Sequence, residues 1–488
     1  MNKDDFNIIL SADSYKMSQW KMYPEKMEYM YSYLEPRQGA KHNKIPFFGL
    51  QYILKKYFVG HVITQKKIDE AECIINQNFG NFTTFNKEGW QYILEKHDGK
   101  LPIRIDAIPE GTCIQPSNIM FSIVNTDPKC AWLTNYLETI LMNVWYPCTV
   151  AATALEMLDM ISVFYHNSCD EKDFEKVDFM VHNFGLRACT DPIAGEIASA
   201  AHLLAFQGSD SPCGIKLIDE FYNTNSFNLP PEICWAPAAT EHSVMTALGR
   251  EGEEKMFKRV LDAYKNAPLA CVIDSYDSHN FIKTYVAKYK EEILKRKYPL
   301  VLRPDSGDPA TESLFIVELL SEIFGYKTNS KGFKTLNPAV CVIWGDGIDC
   351  DGMQKVLFSL NNHGWAASNI CFGCGGKLNQ CLNRDTERFA CKASAICIDG
   401  IWHDVYKDPI TYSGDKRFNK HSKRGFQFYD GKMKQNISIE VEGLSSGGEL
   451  LKPDSNIMRT VFKNGELLVD DSWCNIRERI HQNEHSLV

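Results

Sequence analysis

The sequence predicts an α/β protein, with a (β/α) barrel over residues 151–385 and a second, α+β domain assembled from residues 1–150 and 386–488. Three observations lead there. Short apolar runs end again and again in clusters of charged, amide or glycine residues. From Val272 onward consecutive runs lie about 30 to 40 residues apart, close to the length of one strand-plus-helix unit. Both flanks lack that rhythm and carry strand-pair signals instead.

In chain order, the apolar stretch 8–10 leads into Asp13, Ser14, Tyr15 and Lys16, and MYSYL at 30–34 reads as a strand. Leu50, Ile53, Leu54, Tyr57 and Phe58 fall on one helical face. Residues 101–108 and 119–124 alternate or run apolar, with Pro and Gly between them, as paired strands do. The uncharged run between Glu138 and Glu156 approaches the length of a short membrane span. Asn143, Pro147 and several threonines predict instead a buried helix pair broken at Pro147.

The barrel units follow. Run 179–181 leads into His182, Asn183, Phe184, Gly185 and Arg187, and the less strand-like 233–235 precedes Thr240, Glu241, His242 and Ser243. Run 270–273 leads into Asp274, Ser275, Tyr276 and Asp277; PLVLRPDSGDP at 299–309 presents Arg303, Pro304, Asp305 and Gly307. Run 340–343 leads into Gly345, Asp346 and Gly347, and 370–372 into Gly373, Cys374, Gly375, Gly376 and Lys377. Each turn alone is a solvated strand end. Together they place polar groups where such a barrel keeps its active site, at the C-terminal ends of its strands. Beyond Arg384, Asp430-Gly431 and Asn464-Gly465 sit between β-prone runs as hairpin turns, so the chain returns to antiparallel sheet and completes the first domain.

Composition excludes several classes. At 488 residues and 44% hydrophobic the chain supports two or three cored domains. A net charge of -9 argues against a nucleic-acid coat or a polybasic membrane binder. Seventeen cysteines without a secreted-domain rhythm, behind an N-terminus with no apolar signal core, point to the reducing cytoplasm. Cys371-x-x-Cys374 lacks a second pair at zinc spacing.

Residues 373–376 follow a strand, and small residues there let backbone N–H groups approach an anion. Arg187, Arg303 and Arg384 add bidentate donors, and Asp305 and Asp346 suit a magnesium ion, directly or through water. The set points to a polyphosphorylated substrate.

The motifs DSYK at Asp13, YSY at Tyr31, FGLQ at Phe48, LPIRIDAIPEG at Leu101, WYPCTVA at Trp145, HNFGLR at His182, EHS at Glu241, DSYD at Asp274, RPDSG at Arg303, GDGID at Gly345 and FGCGG at Phe372 closely resemble the nicotinamide phosphoribosyltransferase family. The resemblance runs in order from about residue 6 to about residue 470. It implies an irregular α/β barrel joined to a domain made from both chain ends, in a homodimer with shared active sites. It also implies transfer of phosphoribosyl from phosphoribosyl pyrophosphate to nicotinamide, with magnesium and with assistance from ATP hydrolysis.

Carried over residue by residue, Phe184 and a partner's Tyr15 would sandwich the pyridine ring, and Asp210 would accept from the carboxamide. Arg303 would lie against ring and phosphate, with Arg187 and His242 near the pyrophosphate and His242 phosphorylated from ATP. Asp274, Pro304, Asp305, Gly345, Asp346, Gly375 and Gly376 would surround the ribose phosphate. Arg384 and Lys392 would reach into the neighbouring site, and the basic run 416–424 would lie near the diphosphate end. A charged Asp210 would repel nicotinate, which sets nicotinamide ahead of the alternative, nicotinate phosphoribosyltransferase. A catalytically silent ligand-binding or signalling protein of the same fold is the second alternative. Asn183, Ala270 and Lys377 depart from vertebrate members, which have Asp, Ser and Gly there, and the loop 36–46 is shorter.

Overall fold

The computed structural model describes residues 6–80, 82, 84–222, 233–409, 421–446 and 452–482. They form two compact units, one from the described residues of 1–152, 218–225 and 383–488, the other from those of 153–217 and 226–382.

The first unit opens with β1 (Met27–Pro36), β2 (Ile45–Pro46), β3 (Ile103–Ala107), β4 (Cys113–Ile114) and β5 (Phe121–Asn125). Helices cover one face of this set, because alternation turns Ser32 of β1 toward the helix Leu133–Tyr136, where its Oγ donates to Asn135 Oδ1 at 2.8 Å. Helix Glu138–Met142 ends at Asn143, and Trp145–Ser168 then runs unbroken for 24 residues. The break therefore falls ahead of Pro147, which occupies the first turn, where its missing N–H has no intrahelical partner to lose. The stretch Glu138–Ser168 is long and apolar enough to span a membrane, and its most apolar window is 67% buried inside the protein, as a core helix is.

The second unit holds β6 (Val181–Asn183), β7 (Ala238–Ala239), β8 (Leu269–Val272), β9 (Leu300–Arg303), a small hairpin of β10 (Tyr326–Thr328) and β11 (Lys334–Leu336), β12 (Val340–Trp344) and β13 (Ile370–Cys374). Six of them form a parallel sheet in the order β6-β13-β12-β9-β8-β7, with helices such as Pro309–Phe324 and Cys350–Asn362 in the crossovers. Isolated parallel bridges Asn183–Ser209 and Gly208–Trp235 carry the ladder round toward β7 and complete an irregular barrel wall. The first strand starts at Val181, because 171–179 coils as 3-10 helix, so His182 and Asn183 belong to the strand and not to the loop after it. Run 233–235 contributes a single bridge.

The chain then returns with β14 (Phe389–Ile398), β15 (Ile401–Asp404), β16 (Phe426–Asp430), β17 (Gln435–Ile439), β18 (Arg459–Lys463) and β19 (Glu466–Leu467). Four of these join a seven-stranded sheet in the order β15-β14-β1-β5-β3-β18-β19, so a block of three N-terminal strands is flanked on both sides by C-terminal strands in one antiparallel ladder. Asn464 (φ 50°) and Gly465 (φ 83°) make the two-residue turn their sequence predicts. The Asp430-Gly431 turn is longer, spanning 431–434, because Asp430 Oδ1 accepts from the N–H groups of Lys432 and Met433 at 2.8 and 2.9 Å. The β16–β17 hairpin lies over the sheet face opposite the helices, where Tyr31 Oη accepts from Gln427 N at 3.0 Å.

Candidate active site

Parallel strands all end at one rim, and the barrel rim is where the polar residues meet. Phe184 follows β6 directly, its N–H donating to the carbonyl of Cys374 at 2.9 Å. Its ring lies on the backbone of β13: a methyl group on Gly373 would sit 2.1 Å from Phe184 Cε2. A methyl on Gly345 would meet the same carbon at 3.0 Å, and Arg303 Cδ and Asp305 Oδ1 at 3.4 Å each. Aromatic ring, guanidinium stem and carboxylate thus converge over two glycines. Asn183 fixes the neighbouring loops. Its buried Oδ1 accepts from Gly185 N (2.8 Å) and Asn379 Nδ2 (3.2 Å), and its carbonyl accepts from Asp210 N (3.1 Å).

The charges form one network. Arg303 donates to Asp305 Oδ2 at 3.3 Å. Asp274 ties two loops together, since Oδ2 accepts from Asp305 N at 3.0 Å and Oδ1 lies 3.1 Å from His242 Nε2. Burial raises the Asp305 carboxyl, opposed by Arg303, raised further by Asp274, lowered by His242 and raised by Asp346. Burial pushes Asp210 up to about 6, with Arg303 drawing it down. Beneath the rim His182 and His202 are buried and depressed to about 4, desolvation being the larger cause in both, so they are neutral at pH 7.

Among the other expected residues, Pro304 is buried behind the network and Arg187 is exposed on the short helix Leu186–Ala188. Gly375 and Gly376 lie along the loop after Phe184, with the helix Gly376–Asn379 starting there. Lys377 is 3.6 Å from Asp349, so its added cation has a carboxylate partner. Ser243 donates to Glu241 and Thr246 to the carbonyl of His242, which turns both hydroxyls away from any group at the helix start. Ala270 is buried in β8.

Tyr15, Arg384 and Lys392 belong to the first unit: Tyr15 is exposed, Arg384 pairs with Asp385 at 2.8 Å, and Lys392 is exposed opposite Tyr33. Residues 416–420 of the basic run lie outside the described residues. In the remainder Lys423 pairs with Glu35, and the Arg424 guanidinium lies 3.6 Å from the centre of the Tyr406 ring. Sequence reasoning missed Arg37, whose own burial and whose neighbours Arg388 and Arg384 lower its pKa, and it missed Asn379. The first is gathered just beyond the end of the β1–β14 ladder, where Pro36 faces Phe389, and the second by a loop contact, and neither leaves a local signal.

The carboxylates Asp274, Asp305 and Asp346 suit a hard cation held through water and a substrate phosphate. The described residues bring three ligand atoms close together only at His97, Asp127 and Cys130. There Asp127 already accepts from His97, Tyr92 and Lys129, and burial raises the Cys130 thiol to about 12, so the group is a capped turn.

Family models match two segments: residues 7–105 fit the nicotinamide phosphoribosyltransferase N-terminal domain, and 179–466 fit the nicotinate phosphoribosyltransferase family. A nicotinamide phosphoribosyltransferase of Xanthomonas campestris pv. campestris is 38% identical, over 86% of either chain. One from Acinetobacter baylyi is 29% identical over 98% of this chain and 97% of its own. The fold is similar to the crystal structure of nicotinate-nucleotide pyrophosphorylase from Pyrococcus furiosus, with a TM-score of 0.58, 15% identity and coverage of 98% and 96%.

Proposed function

Because the chain belongs to the nicotinamide phosphoribosyltransferase family, we propose that it transfers the phosphoribosyl group of phosphoribosyl pyrophosphate to nicotinamide, giving nicotinamide mononucleotide and pyrophosphate in NAD salvage. The observation that carries this reading is the convergence of Phe184, Arg303 and Asp305 over Gly345, an aromatic surface beside a cation and a carboxylate. The pyridine nitrogen is itself the nucleophile, so no base is needed to free it. The protein's task is to hold ring and ribose in line and to stabilise charge on the departing pyrophosphate. Phe184 stacks the ring, Asp210 accepts from the carboxamide, and Arg303 and Arg187 serve the phosphates.

Asp305 and Asp346 would hold magnesium, which when bound neutralises charge on the leaving group. ATP is the co-substrate. With Nε2 facing Asp274, His242 keeps Nδ1 as the nitrogen that accepts a phosphoryl group. The working unit is a homodimer, in which Tyr15, Arg384 and Lys392 of the partner subunit complete the site. The cytoplasm suits the chain, since all 17 cysteines are free thiols.

The test is a product assay by mass with phosphoribosyl pyrophosphate, magnesium and either base, with and without ATP, across pH 5 to 8. A carboxylate raised to about 6 is mostly charged at pH 7.5 and mostly neutral at pH 5. Repulsion of nicotinate at ~4 Å and a dielectric near 20 amounts to about 4 kcal/mol. The preference for nicotinamide should therefore be greatest above pH 7, shrink as pH falls through 6, and flatten in Asp210→Asn. ATP should raise the wild-type rate and leave the His242→Ala rate where it stands without ATP. Equal use of nicotinate at pH 7.5 would overturn the assignment of the base.

A further inference from the structure

We propose that the antiparallel unit carries a second ligand site, separate from the barrel rim, which binds a small planar aromatic molecule bearing an anionic group, about the size of a mononucleotide. The site is a cavity of about 660 Å³ between the seven-stranded sheet and the β16–β17 hairpin. That volume lies inside the range of ligand pockets, roughly 300–1,000 Å³. Every described lining residue belongs to the antiparallel unit.

Register builds its floor. Tyr31 pairs with Val124, Val124 with Arg104, and Arg104 with Lys463, so one row of side chains crosses β1, β5, β3 and β18 on the hairpin side. Three strand spacings put the two ends of that row on the order of 14 Å apart.

The ends differ in chemistry. At one, Tyr29 stacks near Trp402 at 6.0 Å between ring centres, and Trp402 meets Phe426 edge-on at 4.9 Å. Tyr29 and Phe426 remain half-buried, so this aromatic wall keeps open faces toward the cavity. At the other end stand Arg104 and Lys463, with Lys452 a third cation in the lining. Asp106 is the sole carboxylate among the described lining residues, and it already accepts from Thr460 Oγ1 at 2.6 Å and faces Arg104 Nε at 3.2 Å. Lys463 has no ion-pair partner among the described residues.

Aromatic faces favour a planar ring, and a surplus of cations favours an anion, with Arg able to grip it bidentately. Ser122 and Asn456 add a hydroxyl and an amide to the lining. Such a cavity, with cations, amides and hydroxyls in its lining, differs from a packing defect, which would be apolar and dry.

The test uses the full chain carrying Arg303→Ala, so that anion binding at the barrel rim is weakened and a failure there is told apart from a failure here. AMP and naphthalene-1-sulfonate serve as probes in equilibrium dialysis, with adenosine and ribose 5-phosphate as half-ligands. Saturable binding of at least one probe should persist in Arg303→Ala and weaken at least tenfold on adding Arg104→Ala and Lys463→Ala. Adding Tyr29→Ala alone should weaken it as well, and each half-ligand should bind at least tenfold more weakly than AMP. Absence of saturable binding by both probes at millimolar concentration overturns the proposal. So does binding that ignores Arg104→Ala, Lys463→Ala and Tyr29→Ala.

Discussion

The two sheets of this protein gather their polar residues in different ways. In the barrel unit the strands run parallel, so every C-terminal end reaches one rim, and each strand delivers chemistry within a few residues of its own last apolar position: Arg303 closes β9 and Asp305 follows it. In the antiparallel unit the ends alternate, and side chains are collected sideways, across strands. Tyr31, Val124, Arg104 and Lys463 are neighbours by register although they come from both ends of the chain. Direction of pairing decides whether a site is local or scattered in sequence.

The largest effect that can break this comparison is at the rim. Arg303→Ala should lower kcat/KM by about a thousandfold, the scale of losing one preorganised charge-stabilising donor. Its urea midpoint should stay close to wild type, because loss of Arg303 raises the pKa of Asp305 and Asp210 further and so eases the cost of the carboxylates it leaves unpaired. A fall of less than tenfold would mean that chemistry does not depend on what the rim collects. Gly373→Ala sharpens the point, because its new methyl must displace the Phe184 ring. We expect the KM for nicotinamide to rise roughly tenfold and stability to fall by about 1–3 kcal/mol, the range for overpacking. An unchanged KM would separate Phe184 from base binding. The smallest effect belongs to the other sheet. Tyr31→Phe removes a hydroxyl that accepts from Gln427 N and donates to its carbonyl. It should cost about 1 kcal/mol in chemical denaturation with kcat/KM unchanged. A matching loss of activity would show that the two regions are energetically joined.

Legibility followed the same division. Asp274, Arg303, Asp305, Gly345 and Asp346 could be read from the chain because each follows its apolar run directly. Strand β6 was read two residues early, since the apolar 179 and 180 could belong to strand or to the end of a 3-10 helix equally well. Pro147 looked like a breaker because sequence does not say that it stands in a first turn. The turn at 431–434 hid behind an Asp-Gly pair whose aspartate caps the turn from within the strand. The cluster of Arg37, Arg384 and Arg388, which lies just beyond the end of the β1–β14 ladder, and the row ending in Lys463 were out of reach, because long-range pairing is a property of the folded sheet. Lys392 entered only through family resemblance, and so did the roles of Tyr15 and Arg384 at a neighbouring subunit's site, because nothing local in the sequence says which subunit a side chain serves.

The thin seam of the barrel wall has its own consequence. Among the described residues the ladder between β6 and β7 is reduced to the bridges Asn183–Ser209 and Gly208–Trp235, and on that seam or beside it sit Phe184, Asp210 and Trp235. Arg303, Asp305 and Asp346 stand on or just beyond strands with laddered neighbours on both sides. Stiffness is therefore unequal around the mouth: the half proposed to meet the base is compliant, and the half proposed to meet phosphate is braced. Such a wall can widen to admit one ring or a bulkier one while the anion's seat keeps its shape, so evolution could retune the base without rebuilding the phosphate half.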